Sequence, residues 1–285
     1  FPTCPYPNPE EKAALKLAIE LAEKTNADMV LATDPDADRV GIAVRKKDGG
    51  FRLFNGNETG AIMENFMLSV KSKNGSMPKN PVVVKTIVTS DMATDIAKKY
   101  GAEVKEVLTG FKYIGETIDS LENPEDYVFG MEESYGYLVG RHVRDKDSVS
   151  AAMIIVEAAA YYASTGKTLI DALEDLYAEF GYYKTALVSR VYPGEKGKTE
   201  MDALISALRE NPLKEIAGIK INEFKDYSKG IEGLPKSNVL SFIGDGIKVI
   251  VRPSGTEPKV KYYLTAKRPT EKESDEVVEL LKKHI

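Results

Sequence analysis

Apolar positions along the chain recur at two periods, and each switch between them marks an element boundary. Near the start, Leu17, Ala18 and Leu21 repeat at helical spacing. Asn8 is placed to cap that helix, Pro9 suits its first position, and Glu10 and Glu11 complement its positive end. TNAD closes the helix ahead of a short apolar strand, MVLAT. VGIAV, the turn KKDGG and FRLF read as strand, hairpin and strand, with a helix expected over residues 58 to 72.

The turn-rich stretch KNGSMPKNP reads as a linker. Beyond it VVVKTIV, a helix from Ser90 to Tyr100, AEVKEVL, a helix near Tyr113 to Leu121, and YVFGM repeat the strand–helix–strand order. That order favours a parallel or mixed sheet covered by helices. Two helical stretches follow, over 148 to 165 and 168 to 180, the first with Asp147 as its cap. After YPGEKGK come a helix near 199 to 210 and strands around IAGIKINEF, GIKVIVR and KVKYYLTA. The last helix opens on a capping box, Thr270 with Glu273, and Glu279, Lys282 and Lys283 give it a solvated face. The expected fold class is α/β: mixed-sheet α/β domains over 1–80 and 81–181, then a smaller α+β domain over 182–285.

Composition narrows the function. At 285 residues, with 42% hydrophobic and 29% charged residues, two or three folded units are expected. The net charge of −5 argues against a nucleic-acid partner. No apolar run reaches the roughly 18 residues that span a bilayer, so no membrane partner is expected. A lone cysteine, Cys4, suits a reducing compartment, and the first residues carry neither a secretory signal nor an initiator Met. The expectation is a soluble cytoplasmic protein present as a processed or truncated piece.

Three loops carry candidate chemistry. In ATDPDADRVG, alternation in an extended loop points Asp34, Asp36 and Asp38 the same way. Oxygen donors without thiol or imidazole suit a hard divalent ion, Mg²⁺ above all, and Arg39 alongside can hold a phosphate. A solvated acidic turn is the competing reading. In GMEESYGYLVGRHVRDKDSVS, Glu132, Glu133 and Ser134 follow a strand and offer acceptors for sugar hydroxyls. Arg141, Arg144 and Lys146 add donors for an anion; an ordinary charged loop is the alternative. In RPSGTEPKVKYY, Gly255 frees the backbone to turn, Ser254 and Thr256 supply hydroxyls and Arg252 a phosphate-matching fork. A plain hairpin turn has equal standing there. Lys112, ending TGFK, is a weaker candidate, and neither His142 nor His284 stands out.

TDPDADR, TGFK, GMEESYGY with RDKD after it, and RPSGTEPK occur in the order and spacing of the α-D-phosphohexomutases. The chain most resembles the bacterial phosphoglucomutase/phosphomannomutase branch, along essentially its whole length. The resemblance implies four domains around a cleft, each giving one loop. It implies Asp34, Asp36 and Asp38 as Mg²⁺ ligands and Arg39 as the arginine beside them. Glu132 and Ser134 would hold sugar hydroxyls, and Arg252, Ser254, Gly255 and Thr256 the non-reacting phosphate. Lys112 and Lys146 would lie near the substrate, Lys146 as a proton-transfer group, with Arg141 a further substrate contact.

In such mutases a phosphoserine donates its phosphoryl group to a hexose phosphate, and the bisphosphate reorients before returning one phosphate. That serine lies in a Ser-His-Asn-Pro loop, which is absent from this sequence. The chain is therefore expected to be a C-terminal fragment whose partners are the missing N-terminal domains of the same protein. Alone it is expected to be inactive and to bind Mg²⁺ weakly. Glu-Glu-Ser at 132 to 134 resembles the glucose-type loop and leaves mannose or a pentose phosphate open. A Mg²⁺-dependent phosphatase and a non-catalytic sugar-phosphate-binding module are the alternative functions.

Overall fold

The computed structural model describes residues 1–231, 233–255 and 257–285. The chain divides into two compact units, Phe1–Leu176 and Tyr177–Ile285.

The first unit begins with turns rather than helix. Asn8 Oδ1 accepts from the Glu10 amide at 3.0 Å, so the predicted cap closes a local turn. Pro9 is buried, and Gly41 leaves the room it needs: a Cβ at Gly41 would stand 2.8 Å from the Pro9 Cβ. Regular helix starts only at α1, Lys16–Thr25. Its buried side is also offset from the expected one. Leu17 and Leu21 are 54% and 60% exposed, while Leu15 and Ala22 pack with Val30 and Ala43. The two stripes differ by one residue, about 100° of rotation, which periodicity alone resolves poorly. Arg45 settles the choice by donating to the carbonyls of Ala22 and Ala27 at 2.9 and 2.8 Å.

β1 (Met29–Thr33), β2 (Val40–Arg45) and β3 (Phe51–Leu53) form an antiparallel meander with Thr33 opposite Val40. The Asp-rich stretch is the loop joining β1 to β2. α2 (Gly56–Asn74) follows, opened by a capping box between Asn55 and Glu58 and closed by left-handed Gly75.

A four-stranded mixed sheet then forms, as the strand–helix–strand order predicts, in the order β5-β4-β6-β7. β4 (Val82–Thr86) is parallel to both β5 (Glu103–Val107) and β6 (Tyr127–Glu132). α3 (Met92–Lys99) and α4 (Phe111–Asp119) are the crossovers, and β7 (Gly136–Leu138) returns antiparallel to β6. Val82, Val84, Ile114, Ile118 and Leu138 fill one face of this sheet. α5 (Ser148–Ser164) is capped by Asp147, whose carboxylate accepts from the Val149 and Ser150 amides, and α6 (Leu169–Phe180) follows.

The second unit is a six-stranded antiparallel sheet with two helices. β8 (Tyr182–Val191), α7 (Gly194–Glu210), β9 (Glu215–Ile216), β10 (Ile219–Asp226), β11 (Leu240–Gly244), β12 (Ile247–Pro253), β13 (Lys259–Arg268) and α8 (Glu271–Lys283) run in chain order. The strand order is β8-β13-β12-β11-β10-β9. α8 opens on the expected Thr270–Glu273 capping box. β8 has no counterpart in the sequence-based reading. It is an edge strand whose residues are at best half-buried, so its apolar positions do not alternate cleanly. α7 begins five residues before the expected start because Gly197 lets the first turn press onto the Tyr192 backbone, where a Cβ would lie 2.4 Å from a carbonyl carbon.

Candidate active site

The Asp loop is a tight turn, not the extended strand that alternation assumes. Ala37 sits in the left-handed region at φ 57°. Asp34 Oδ1 accepts from the amides of Asp38 and Arg39 at 3.1 and 3.0 Å, and the Ala37 amide donates to the Asp34 carbonyl at 3.1 Å. The three carboxylates still converge: one oxygen from each of Asp34, Asp36 and Asp38 lies within 4.8 Å of the others. Their convergence is a property of the turn. Desolvation, reinforced by Asp38 and Asp36, raises the Asp34 carboxyl against the pull of its two amide donors. Three hard oxygen donors with no competing soft ligand fit a divalent ion such as Mg²⁺.

Cations already crowd the cluster. Arg39 Nε lies 3.9 Å from Asp34 and from Asp38, and its Nη1 is 3.5 Å from Glu10. Lys146 Nζ is 2.9 Å from Asp38 Oδ2 and 3.3 Å from Asp145. Desolvation, which lowers the Lys146 pKa, is outweighed by Asp38 and Asp145, so the group is held as an ammonium above its ordinary range. In that form it donates hydrogen bonds.

The stems of this lysine lead to the second loop. A Cβ at Gly136 would stand 2.4 Å from Lys146 Cδ and 3.6 Å from Glu132 Oε2, so the glycine makes room for the lysine across the hairpin. Glu132 and Gly136 face each other in register, which makes Glu133, Ser134 and Tyr135 a three-residue hairpin tip. Tyr135 takes the left-handed conformation such a tip requires, φ 67°, at a cost a tyrosine seldom bears. Its carbonyl accepts from the Val40 amide at 3.1 Å, tying the tip to the end of the Asp loop. Ser148 adds a further tie, donating amide and hydroxyl to the Ala37 carbonyl at 3.1 and 2.6 Å.

Glu132 is buried, and its Oε1 accepts from the Gly110 amide at 2.9 Å. Gly110, at φ 120°, belongs to TGFK and sits at the start of α4. The segments after β4, β5 and β6 therefore gather at the carboxyl ends of the parallel strands, where open α/β sheets bind ligands. Desolvation raises the Glu132 carboxyl, partly offset by Gly110 and by the charges of Lys146 and Arg39.

Not every candidate joins this cluster. Lys112 is exposed and lies over the Tyr113 ring at 4.7 Å. Arg141 pairs with Glu125, Arg144 pairs with Asp119 at 2.6 Å, and His142 pairs with the cap residue Asp147 at 2.8 Å. In the second unit Ser254 donates its amide to the Lys259 carbonyl at 2.8 Å, and Ser254 Oγ accepts from the Glu257 amide at 3.2 Å. Arg252 stands opposite Lys261 on β12 and β13. A cavity of about 410 Å³, lined by Ser254, Gly255, Glu257, Gly194 and Lys198, opens at this turn. Gly255 is outside the left-handed region, and nothing lies within 4 Å of a Cβ placed there. What the glycine leaves is open space. Thr256 lies outside the described residues. Sequence reasoning missed Gly110, Gly136 and Ser148, whose roles are spatial and leave no spacing signal.

Fold and site together define an α/β protein with an acidic, cation-flanked loop set against a buried carboxylate at the ends of parallel strands. Family models match nearly the whole chain in consecutive pieces: phosphoglucomutase/phosphomannomutase alpha/beta/alpha domain II over residues 1–49, domain III over 55–180, and the C-terminal domain over 198–283. The chain belongs to the phosphoglucomutase/phosphomannomutase family of α-D-phosphohexomutases. It is 38% identical over 273 residues to a phosphoglucomutase of Staphylococcus aureus strain USA300, an alignment covering 92% of this chain and 49% of the relative. The fold is shared with the Paramecium phosphoglucomutase pp63/parafusin, at TM-score 0.70, 20% identity and coverage of 96% and 49% of the two chains. A Thermus thermophilus protein described as a phosphomannomutase aligns at TM-score 0.65 and 19% identity, covering 98% and 49%. The chain spans about half the length of the relatives it matches. Among the described residues, no helix is long and apolar enough to cross a membrane.

Proposed function

We propose that this chain is the metal-, sugar- and phosphate-binding portion of a mutase that interconverts the 1- and 6-phosphates of a hexose, glucose before mannose, through a phosphoserine and a bisphosphate. One observation carries the reading: Lys146 reaches Asp38 at 2.9 Å while its stem crosses Gly136 beside Glu132, joining the acidic loop to the hydroxyl-binding loop. A cation between a metal-competent cluster and a sugar acceptor suits a phosphoryl group passing between them.

On this reading Asp34, Asp36 and Asp38 hold Mg²⁺, which supplies electrostatic stabilisation of phosphoryl charge. Arg39 neutralises the transferring group, and Glu132 and Ser134 accept from sugar hydroxyls. Lys146 gives a proton or hydrogen bond to the ester oxygen. Arg252, Ser254, Gly255 and Thr256 receive the other phosphate, and Lys112 and Arg141 contact substrate. The separate sheets β1–β3, β4–β7 and β8–β13 support three mutase domains, with the first boundary before α2, between the matched stretches 1–49 and 55–180, rather than at the expected 80. The reactive serine is not in this sequence, so the 285-residue chain alone binds substrate without turning it over. A coupled assay for glucose 6-phosphate formation, run beside calorimetric titration with glucose 1,6-bisphosphate and Mg²⁺, tests both halves. Binding without turnover is expected; turnover by this chain, or no binding at all, refutes the reading.

A further inference from the structure

Two adjacent glutamates, Glu132 at the end of β6 and Glu133 at the start of the hairpin tip, do different things. Glu132 faces the Gly110 amide and Lys146. Glu133 points instead into the body of the unit, as side chains two apart share a face and neighbours do not. There its Oε2 accepts from Thr86 Oγ1 at 3.3 Å and Thr89 Oγ1 at 3.5 Å. Those hydroxyls are themselves 2.9 Å apart, and both threonines are buried, at 0% and 2% exposure. Thr86 ends β4, and Thr89 lies in the turn leading to α3.

The surroundings are built to receive this contact. Gly56, at the start of α2, lies so close to the tip that a Cβ would stand 2.0 Å from the Glu133 carbonyl oxygen. The Gly56 carbonyl accepts from Tyr137 Oη at 2.8 Å, and Asn57 Oδ1 accepts from the Ser90 amide at 2.9 Å. Helix start, threonine turn and hairpin tip thus meet at one place.

From this geometry we infer that Glu133 is the positioning residue of the sugar-binding hairpin: its carboxyl clamps the tip to Thr86 and Thr89, so that Glu132 and Ser134 face the ligand. The clamp rests on the mutase reading only for what the hairpin binds. Desolvation, then the neighbouring Glu132 charge, pushes the Glu133 carboxyl up to about 7. The bond survives either protonation state, because a threonine hydroxyl rotates to donate to a carboxylate or accept from a carboxylic acid. Glu133 does not touch substrate, and its effect passes through Glu132 and Ser134.

The test compares E133A, E133Q and the pair T86V/T89V, by amide hydrogen exchange at Ser134 and Tyr135 and by calorimetric affinity for glucose 6-phosphate. E133A and T86V/T89V are expected to speed exchange at both amides and to weaken binding roughly tenfold. E133Q retains a hydrogen-bonding side chain of the same shape and is expected to restore both readouts to within about threefold of the unaltered chain. Exchange unchanged in E133A overturns the clamp, as does an E133Q variant as impaired as E133A. Should E133A fail to fold, T86V/T89V decides alone: exchange at wild-type rates overturns the proposal. An unaltered chain that binds no sugar phosphate refutes the functional reading, while the exchange data still decide the clamp.

Discussion

Lys146 Nζ lies 2.9 Å from Asp38 Oδ2, and the two side chains are only 17% and 27% exposed. The ammonium occupies one side of a carboxylate that a divalent ion would also use. K146M is therefore expected to tighten Mg²⁺ or Mn²⁺ binding several-fold, because a competing charge has gone, while weakening sugar-phosphate binding. Titration calorimetry with the metal alone checks the first part. Unchanged or weaker metal affinity would show that the lysine orients Asp38 rather than competing at it.

Asp34 and Asp36 differ in what they hold. Asp34 satisfies two loop amides, while Asp36 is exposed. D34A should abolish metal binding and cost about 1–2 kcal/mol of stability from the stranded amides. D36A should weaken metal binding with stability changed by less than about 0.5 kcal/mol. Urea denaturation beside metal titration separates the two; equal stability losses contradict the assignment.

Glu133 predicts a pH slope. Its folded value of about 7 exceeds the ordinary 4.5, so the folded chain holds a proton that the unfolded chain has released. Its contribution to stability is full below about 4.5 and falls as pH rises to about 7, above which it is level. E133Q should flatten that part of the profile. An identical slope in the variant, followed by thermal melts between pH 4.5 and 8, would remove Glu133 as its source.

Two further buried ionisable groups have opposite expected effects. Lys85 is fully buried, yet Asp91 and Glu106 take its ammonium at 2.9 and 2.6 Å. K85A leaves a cavity and removes the cation that Asp91 and Glu106 share, and should cost roughly 2–4 kcal/mol.

Glu64 is fully buried on α2, and among the described residues neither of its carboxylate oxygens has a hydrogen-bond partner. Burial raises it well above the carboxylate range despite the nearby Lys85 charge. E64L should stabilise the unit by about 1–3 kcal/mol, read as a higher melting temperature. A lower one would mean that Glu64 is satisfied by ordered water.

Much of this was legible in local patterns. The capping signals at Thr270 and Asp147 gave two helix starts correctly, and the strand–helix–strand order gave the mixed sheet around β4. Local signals failed where a distant group decided the outcome. Asn8 looked like a cap, but Pro9 packs against Gly41, and the chain turns there. Leu17 and Leu21 looked like a core stripe, but Arg45 holds the helix end so that Leu15 and Ala22 turn inward. β8 was invisible because an edge strand need not alternate.

The sequence by itself determined which residue types meet in each loop, because carboxylates, glycines and hydroxyls at short spacing constrain chemistry before any folding. Asp34, Asp36 and Asp38 were a metal candidate from their order alone. Only the tertiary structure decided how they converge, through a left-handed Ala37 and two amides on Asp34 rather than through an extended strand. It alone separated Lys146, drawn to Asp38 across the Gly136 gap, from Arg141, which turns to Glu125. It also gave adjacent Glu132 and Glu133 opposite partners. Contacts between residues distant in sequence depend on packing, and short spacing carries no record of it.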